Sequence, residues 1–382
     1  MARFGKKNKV SLNPLDANIC LLGLPKIGKT TIMKEVAEKL VGDSYIFLEM
    51  YRENGAKYIE DIIYEDVPDW ETFVEIIDDI VYNRTTDYAD LKVVFLDTLD
   101  NALQLAEQES IRLWNKENPS KRTTAINAAW GGDMKGQDKA MELLQEQLFR
   151  LRSVGVAFSV IGHVRQTTIT DPITNESYQQ ITSDVSQRYF NQLKKNIDLV
   201  GIAYIDRELV KNKVNGKEVS TVKSETRKIK FRDDNYTVDS GSRMSAICNE
   251  IDFDADEFIK AMTNALDAEV KKGGKSIDDR QKENEKEEAE NMKRLAEAEE
   301  AARIQKELDG VKEEIVIFFN ENKTNPDVYM PVLDKCRELG YANPSEIDDL
   351  NNAKIILFIF YIEFVEVVLL NILQYVFHCV YC

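Results

Sequence analysis

Cysteine is scarce in this chain: five residues, widely spaced, among 382. So few in a chain this long exclude a disulfide-built scaffold and make a reducing cytoplasm the default compartment. Cys379 and Cys382 form one C-x-x-C beside His378, with no second pair to complete a zinc site. Positive charge is also short. Lys and Arg number 50 against 67 Asp and Glu, a net charge of −17. That balance excludes a protein coated in positive charge in the manner of a histone. It leaves room for a local basic groove, since exposed charges are screened beyond about 8–10 Å at physiological salt. Residues 1–10 are basic and short with no apolar stretch behind them, which is not the pattern of a signal peptide.

The length suits about two domains. Residues 1–15 read as a basic arm carrying Arg3, Lys6, Lys7 and Lys9. From residue 16 to 252, short apolar runs alternate with helical patterns, which predicts an α/β domain with a mainly parallel sheet. The expected strands are 18–22, 45–49, 92–97, 157–161 and 199–205. A β-rich stretch follows at 208–214, 218–221, 226–232 and 236–238, with turns at Asn215-Gly216 and Asp233-Asp234-Asn235. Residues 253–313 are expected to be a charged helical linker. Within it, 271–313 carries a thin apolar stripe (Met292, Leu295, Ala298, Ala302) suited to a solvated helix or weak coiled coil. Residues 314–353 read as a small helical unit in which Asn343 caps a helix begun by Pro344. Residues 354–382 are apolar and aromatic, long enough to span a bilayer. Glu363 and Glu366 near their middle would be costly there, so docking to a partner or burial competes with membrane contact.

The chemistry starts at Gly23-Leu24-Pro25-Lys26-Ile27-Gly28-Lys29-Thr30, which matches G-x-x-x-x-G-K-S/T at every fixed position. An apolar strand precedes it and a helical pattern opening at Thr31 follows. The glycines let successive backbone N–H groups turn inward on phosphate, and the helix start adds its dipole. Lys29 is expected to reach the β and γ phosphates of ATP, and Thr30 to place its hydroxyl on Mg²⁺. The metal also needs a carboxylate. Val93-Val94-Phe95-Leu96-Asp97 is an apolar strand ending in Asp, the pattern of a Walker B strand. A strand-end Asp that merely caps the next helix is the plain alternative for Asp97. Asp100 lies where it can support a water. The strand at 45–49 ends in Glu49, with Glu53 close behind. Either can aim at an attacking water, with Glu53 placed first and the choice open.

These segments resemble the RecA-like ATPases, and more closely the phage Sak-type ATPases linked to single-strand annealing and recombination. The residues carrying the resemblance are GLPKIGKTT at 23–31, VVFLDTLD at 93–100, VIGH at 160–163 and SGSR at 240–243, within about residues 16–250. It implies a RecA-like P-loop core followed by a helical C-terminal extension. It implies His163 as the polar sensor of the γ-phosphate and 164–188 as a loop that touches DNA. That loop carries Arg165, Tyr178 and Arg188, and polar or basic groups beside an aromatic suit a single strand. It further implies that a late Arg, or a Lys-x-Arg pair, reaches a neighbouring subunit's nucleotide. Arg243 is the match here, with Gly241 where Lys often stands. The expected function is an Mg²⁺-dependent ATPase acting with single-stranded DNA, in a homo-oligomer, in the cytoplasm of a host cell. The alternatives are a P-loop kinase of a small substrate and a non-enzymatic or membrane-tethered nucleotide switch.

Overall fold

The computed structural model describes residues 9–171, 174–214, 217–233, 237–274, 276–322, 325–359 and 361–362. The first eight residues, the turns at 215–216 and 234–236, and the tail beyond 362 with its C-x-x-C lie outside these. The chain divides into two compact units, Met1–Asn291 and Met292–Cys382.

In the first unit, strands and helices alternate. β1 (Ile19–Gly23) leads into α1 (Lys29–Val41), then β2 (Tyr45–Met50), β3 (Tyr64–Val67), α2 (Trp70–Tyr82) and β4 (Val93–Asp97). Next come α3 (Leu99–Glu117), α4 (Lys135–Ser153), β5 (Ala157–Thr170), β6 (Ser177–Ser183) and α5 (Gln187–Lys194). β7 (Leu199–Val214), β8 (Lys217–Lys230), β9 (Gly241–Ser242), β10 (Glu250–Asp252) and α6 (Ala255–Lys272) complete it. The sheet order is β10-β8-β7-β1-β5-β4-β2-β3. From β3 to β7 neighbouring strands are parallel, and β8 and β10 join antiparallel. This is an α/β core built on a mainly parallel sheet.

Side chains alternate across a strand, so aligned residues of parallel neighbours form rows on one face. One face carries the row Phe47, Phe95, Ser159, Ile19 and Leu199, with Phe47 and Phe95 stacked at 4.3 Å. Its next row is Glu49, Asp97, Ile161, Leu21 and Gly201, and beyond that His163, Gly23 and Ala203. α1 and α6 cover this face through Ile32, Met33, Val36, Phe258, Met262 and Ala265. Gly23 is required where it stands: a Cβ there would meet the Ala203 Cβ at 2.9 Å and its carbonyl at 3.0 Å.

Four expectations change. The segments expected as 199–205 and 208–214 are one strand, β7, with a register irregularity between Glu208 and Leu209. Those at 218–221 and 226–232 likewise merge in β8. The expected loop at 164–188 is mostly an antiparallel ribbon, β5 with β6, followed by α5. Its Thr, Ile and Tyr residues give it the pleated preference of a strand. Finally, α6 belongs to the core of the first unit and is not part of a charged linker. Phe258, Ala261, Met262, Ala265 and Leu266 repeat at helical spacing and are buried.

In the second unit, Leu308 and Ile315 of α7 (Ile277–Asn322) pack with Val328, Val332 and Cys336 of α8 (Pro326–Glu338). Ile347, Ala353 and Ile356 close that cluster, so the apolar stretch begins as part of this core. Asn343 accepts a hydrogen bond from the Ser345 N–H at 3.0 Å. Among the described residues no helix is long and apolar enough to cross a membrane.

Phe258 is fully buried and makes an edge contact with Phe231 at 5.6 Å. Phe258→Ala is therefore expected to destabilise the first unit by about 3–5 kcal/mol, read from the denaturant midpoint.

Candidate functional site

The loop from β1 to α1 brings its donors to one point. Lys26 and Gly28 both take positive φ, +63° and +105°, and Gly28 stands as the residue before α1 with no side-chain cap. The first turn of α1 is thus left to an anion. Lys29 is only 6% exposed, and its Nζ donates to the carbonyls of Gly23 at 3.1 Å and Leu24 at 3.0 Å. Burial lowers the Lys29 pKa, opposed by the negative charges of Asp97, Asp100 and Glu53.

Thr30 Oγ1 donates to Asp97 Oδ2 at 2.6 Å. Asp97 is 4% exposed in its row beside Ile161, and burial pushes its pKa up to about 6 against the hydrogen bond from Thr30. The helix-capping alternative for Asp97 is not what the contacts show. Its carboxylate accepts from the Thr30 hydroxyl, and it is Thr98 that stands at the start of α3. A hydroxyl and a carboxylate held together are oxygen donors suited to a hard divalent cation.

His163 lies in register with Gly23, on the strand between those of the phosphate loop and Asp97. Its Nδ1 lies 3.1 Å from Asp100 Oδ1. That hydrogen bond raises the His163 pKa against the cost of burial. Burial alone would raise Asp100, but the His163 bond and charge bring it below its usual range. Glu49 and Glu53 separate clearly. Glu49 is 4% exposed and accepts from the Ala56 N–H, so its carboxylate holds the turn after β2. Glu53 is half-exposed, and its charge reaches Lys29, Asp97 and His163.

The outer residues are more scattered. Arg165 is exposed on β5 and makes no ion pair among the described residues. Its register partner is Thr182, and Ile169 pairs with Tyr178, so Arg165 and Tyr178 share one face of the ribbon. Arg188, on α5, is engaged in a two-pronged ion pair with Asp138, at 2.7 Å for its Nε. Arg243 bonds Asp198 at 3.1 Å, and Asp198 in turn accepts from the Asn18 N–H at the amino end of β1. Arg243 thus lies the length of β1 away from its own phosphate loop. A Lys-x-Arg pair does occur at the end of β8, in Lys230 and Arg232. Arg227 was missed. Its Nη1 donates to the Ile27 carbonyl at 2.9 Å across 200 residues of chain, so no local pattern announces it.

A phosphate loop, a strand-end carboxylate bonded to the loop's Thr and a polar side chain on the strand between them define a P-loop NTPase. A family profile described as an AAA domain matches residues 15–243, and the chain belongs to that family. No curated protein matches it. Among solved structures, the flagellar accessory protein FlaH of Methanocaldococcus jannaschii is similar at 9% identity and TM-score 0.28, over 57% of this chain and 78% of that one. A KaiC-like protein of Pyrococcus horikoshii is similar at 12% identity and TM-score 0.28, over 56% of this chain and 78% of that one.

The His163–Asp100 pair yields a pH prediction. A raised His pKa means its stabilising contribution is full below the ordinary value near 6.5 and is lost as pH rises through the folded value. The His163 ring resonances, followed by NMR, are expected to titrate above that ordinary value. In Asp100→Asn the midpoint is expected to fall; an unmoved midpoint contradicts the pairing.

Proposed function

We propose that this protein is an Mg²⁺-dependent ATPase whose turnover is set by single-stranded DNA, in recombination or replication of the phage type. The observation that carries the reading is the convergence of Lys29, the Thr30–Asp97 pair and the His163–Asp100 pair at the carboxyl ends of β1 and β4 and at the level of β5 that aligns with them. Backbone N–H groups from Gly23, Leu24, Pro25's neighbours Lys26 and Ile27, and on through Gly28 to Thr31 form the phosphate cradle. Lys29 leaves its carbonyl partners for the β and γ phosphates. Thr30 and Asp97 would hold Mg²⁺, which would supply positive charge to the phosphate oxygens. Glu53 orients the attacking water, because Glu49 is already engaged with the Ala56 N–H. His163 reads the γ-phosphate, and Asp100 keeps its ring oriented.

The DNA part of the reading rests on the ribbon. β5 continues from His163 straight into it, and the Asp184 N–H at its far end donates to the His163 carbonyl at 2.9 Å. A strand laid on the face of Arg165 and Tyr178 would act on both ends of the segment holding the sensor. Arg188 would join only by leaving Asp138, so it is the weaker contact. Arg243, remote from its own loop, suits contact with a neighbouring copy of the chain in a homo-oligomer.

Lys29→Ala is expected to abolish ATP hydrolysis with the melting temperature nearly unchanged; turnover within about twofold of wild type would sink the assignment. For DNA, Arg165→Ala is expected to flatten the salt dependence of single-strand binding by roughly 0.7 in log–log slope, as for one lost phosphate contact. Tyr178→Ala should weaken binding with the slope unchanged, because stacking releases no counterions. Hydrolysis indifferent to single-stranded DNA, with no binding at low salt, would favour a kinase or a nucleotide switch.

A further inference from the structure

The cations of the β7–β8 ribbon with described side chains are nearly all matched to carboxylates. Arg207 pairs with Glu225 at 3.4 Å, Lys223 with Glu208 at 2.9 Å, Lys228 with Glu250 at 3.1 Å and Lys230 with Asp233 at 3.4 Å. Arg227 stands apart. Among the described residues no carboxylate pairs with it, and its guanidinium crosses to the phosphate loop, where Nη1 donates to the Ile27 carbonyl. The same guanidinium lies 5.2 Å from the centre of the Phe253 ring, and the Phe253 N–H donates to the Arg227 carbonyl at 2.9 Å. Arg227 and Phe253 together wall the outside of Gly28: a Cβ there would meet Arg227 Nη1 at 3.3 Å and Phe253 Cε1 at 3.4 Å.

The Ile27 carbonyl and the Gly28 N–H belong to one peptide unit. A cation on the carbonyl oxygen draws electron density from that unit and makes its N–H a stronger donor. It also pulls the carbonyl outward, which turns the N–H inward toward an anion. The charge itself, left without a carboxylate, lies next to a site that must hold phosphates.

We propose that Arg227 is a positioning residue of the nucleotide site, bracing the phosphate loop from outside and tying the root of the β7–β8 ribbon to phosphate binding. The proposal rests on the nucleotide-binding reading above. It concerns phosphate, so it predicts the same effect on any ligand that fills the cradle, whether or not the ligand carries a base.

The test is a binding titration of the full chain with ATP, ADP and inorganic pyrophosphate, in wild type, Arg227→Ala, Arg227→Lys and Lys29→Ala, with melting temperatures alongside. Arg227→Ala is expected to weaken all three ligands by roughly tenfold, the scale of one charge-assisted hydrogen bond. The melting temperature without ligand should stay near that of wild type, and Arg227→Lys should recover part of the affinity. Wild-type affinity in Arg227→Ala overturns the proposal. So does a loss for ATP and ADP that pyrophosphate does not share, which would make Arg227 a contact of the base or sugar. A wild-type chain that binds none of the three would instead overturn the nucleotide reading itself. Should Arg227→Ala fail to fold, Arg227→Gln, which keeps a donor without charge, carries the same expectation and the same refutations.

Discussion

The parallel register of β1, β5 and β4 is the constraint on which the site depends. Gly23 aligns with His163 and Asp97 with Ile161, so the phosphate loop, His163 and Asp97 leave the sheet on one face and within one step of each other. Side chains alternate, and a slip of one residue would send His163 and Asp97 to the opposite face. The slip is opposed by what lies further down the same rows. Phe47, Phe95, Ile19 and Leu199 would leave the cover of α1 and α6 at the same time. Core packing and site geometry are therefore one requirement, and the aromatic stack of Phe47 on Phe95 helps to hold the strand ends that carry Glu49 and Asp97.

The register also explains the electrostatics. Asp97 sits in a row whose other members include Ile161 and Leu21, so its charge is poorly solvated and its pKa rises. Lys29 is shifted the opposite way for the same reason. Asp97 is met by the Thr30 hydroxyl, and Lys29 by two loop carbonyls. A site arranged this way favours the charged ligands that complete it.

Legibility in the sequence followed distance along the chain. The phosphate loop and its flanking strand and helix are local, so spacing and hydropathy were enough to find them. Asp97 was visible as the last residue of an apolar run, but its bond to Thr30 spans 67 residues and depends on strand order. Arg227 reaches Ile27 across 200 residues and left no trace in the local pattern. Glu49 and Glu53 were indistinguishable as letters. Only the turn after β2 shows that the first is used to hold backbone. The 164–188 segment lacked apolar periodicity because a ribbon standing out from the sheet buries little on either face, so it resembled a loop. In α6 the surrounding charge masked a regular stripe of Phe258, Met262, Ala265 and Leu266.

If Thr30 and Asp97 together form the metal position of the phosphate-binding loop, a titration of ATP with and without Mg²⁺ into wild-type protein and Asp97→Asn will show it. Metal-free ATP is expected to bind both alike, and Mg²⁺ to tighten binding and support turnover in the wild type alone. An equal gain from Mg²⁺ in Asp97→Asn, or equal loss of metal-free binding, would contradict it.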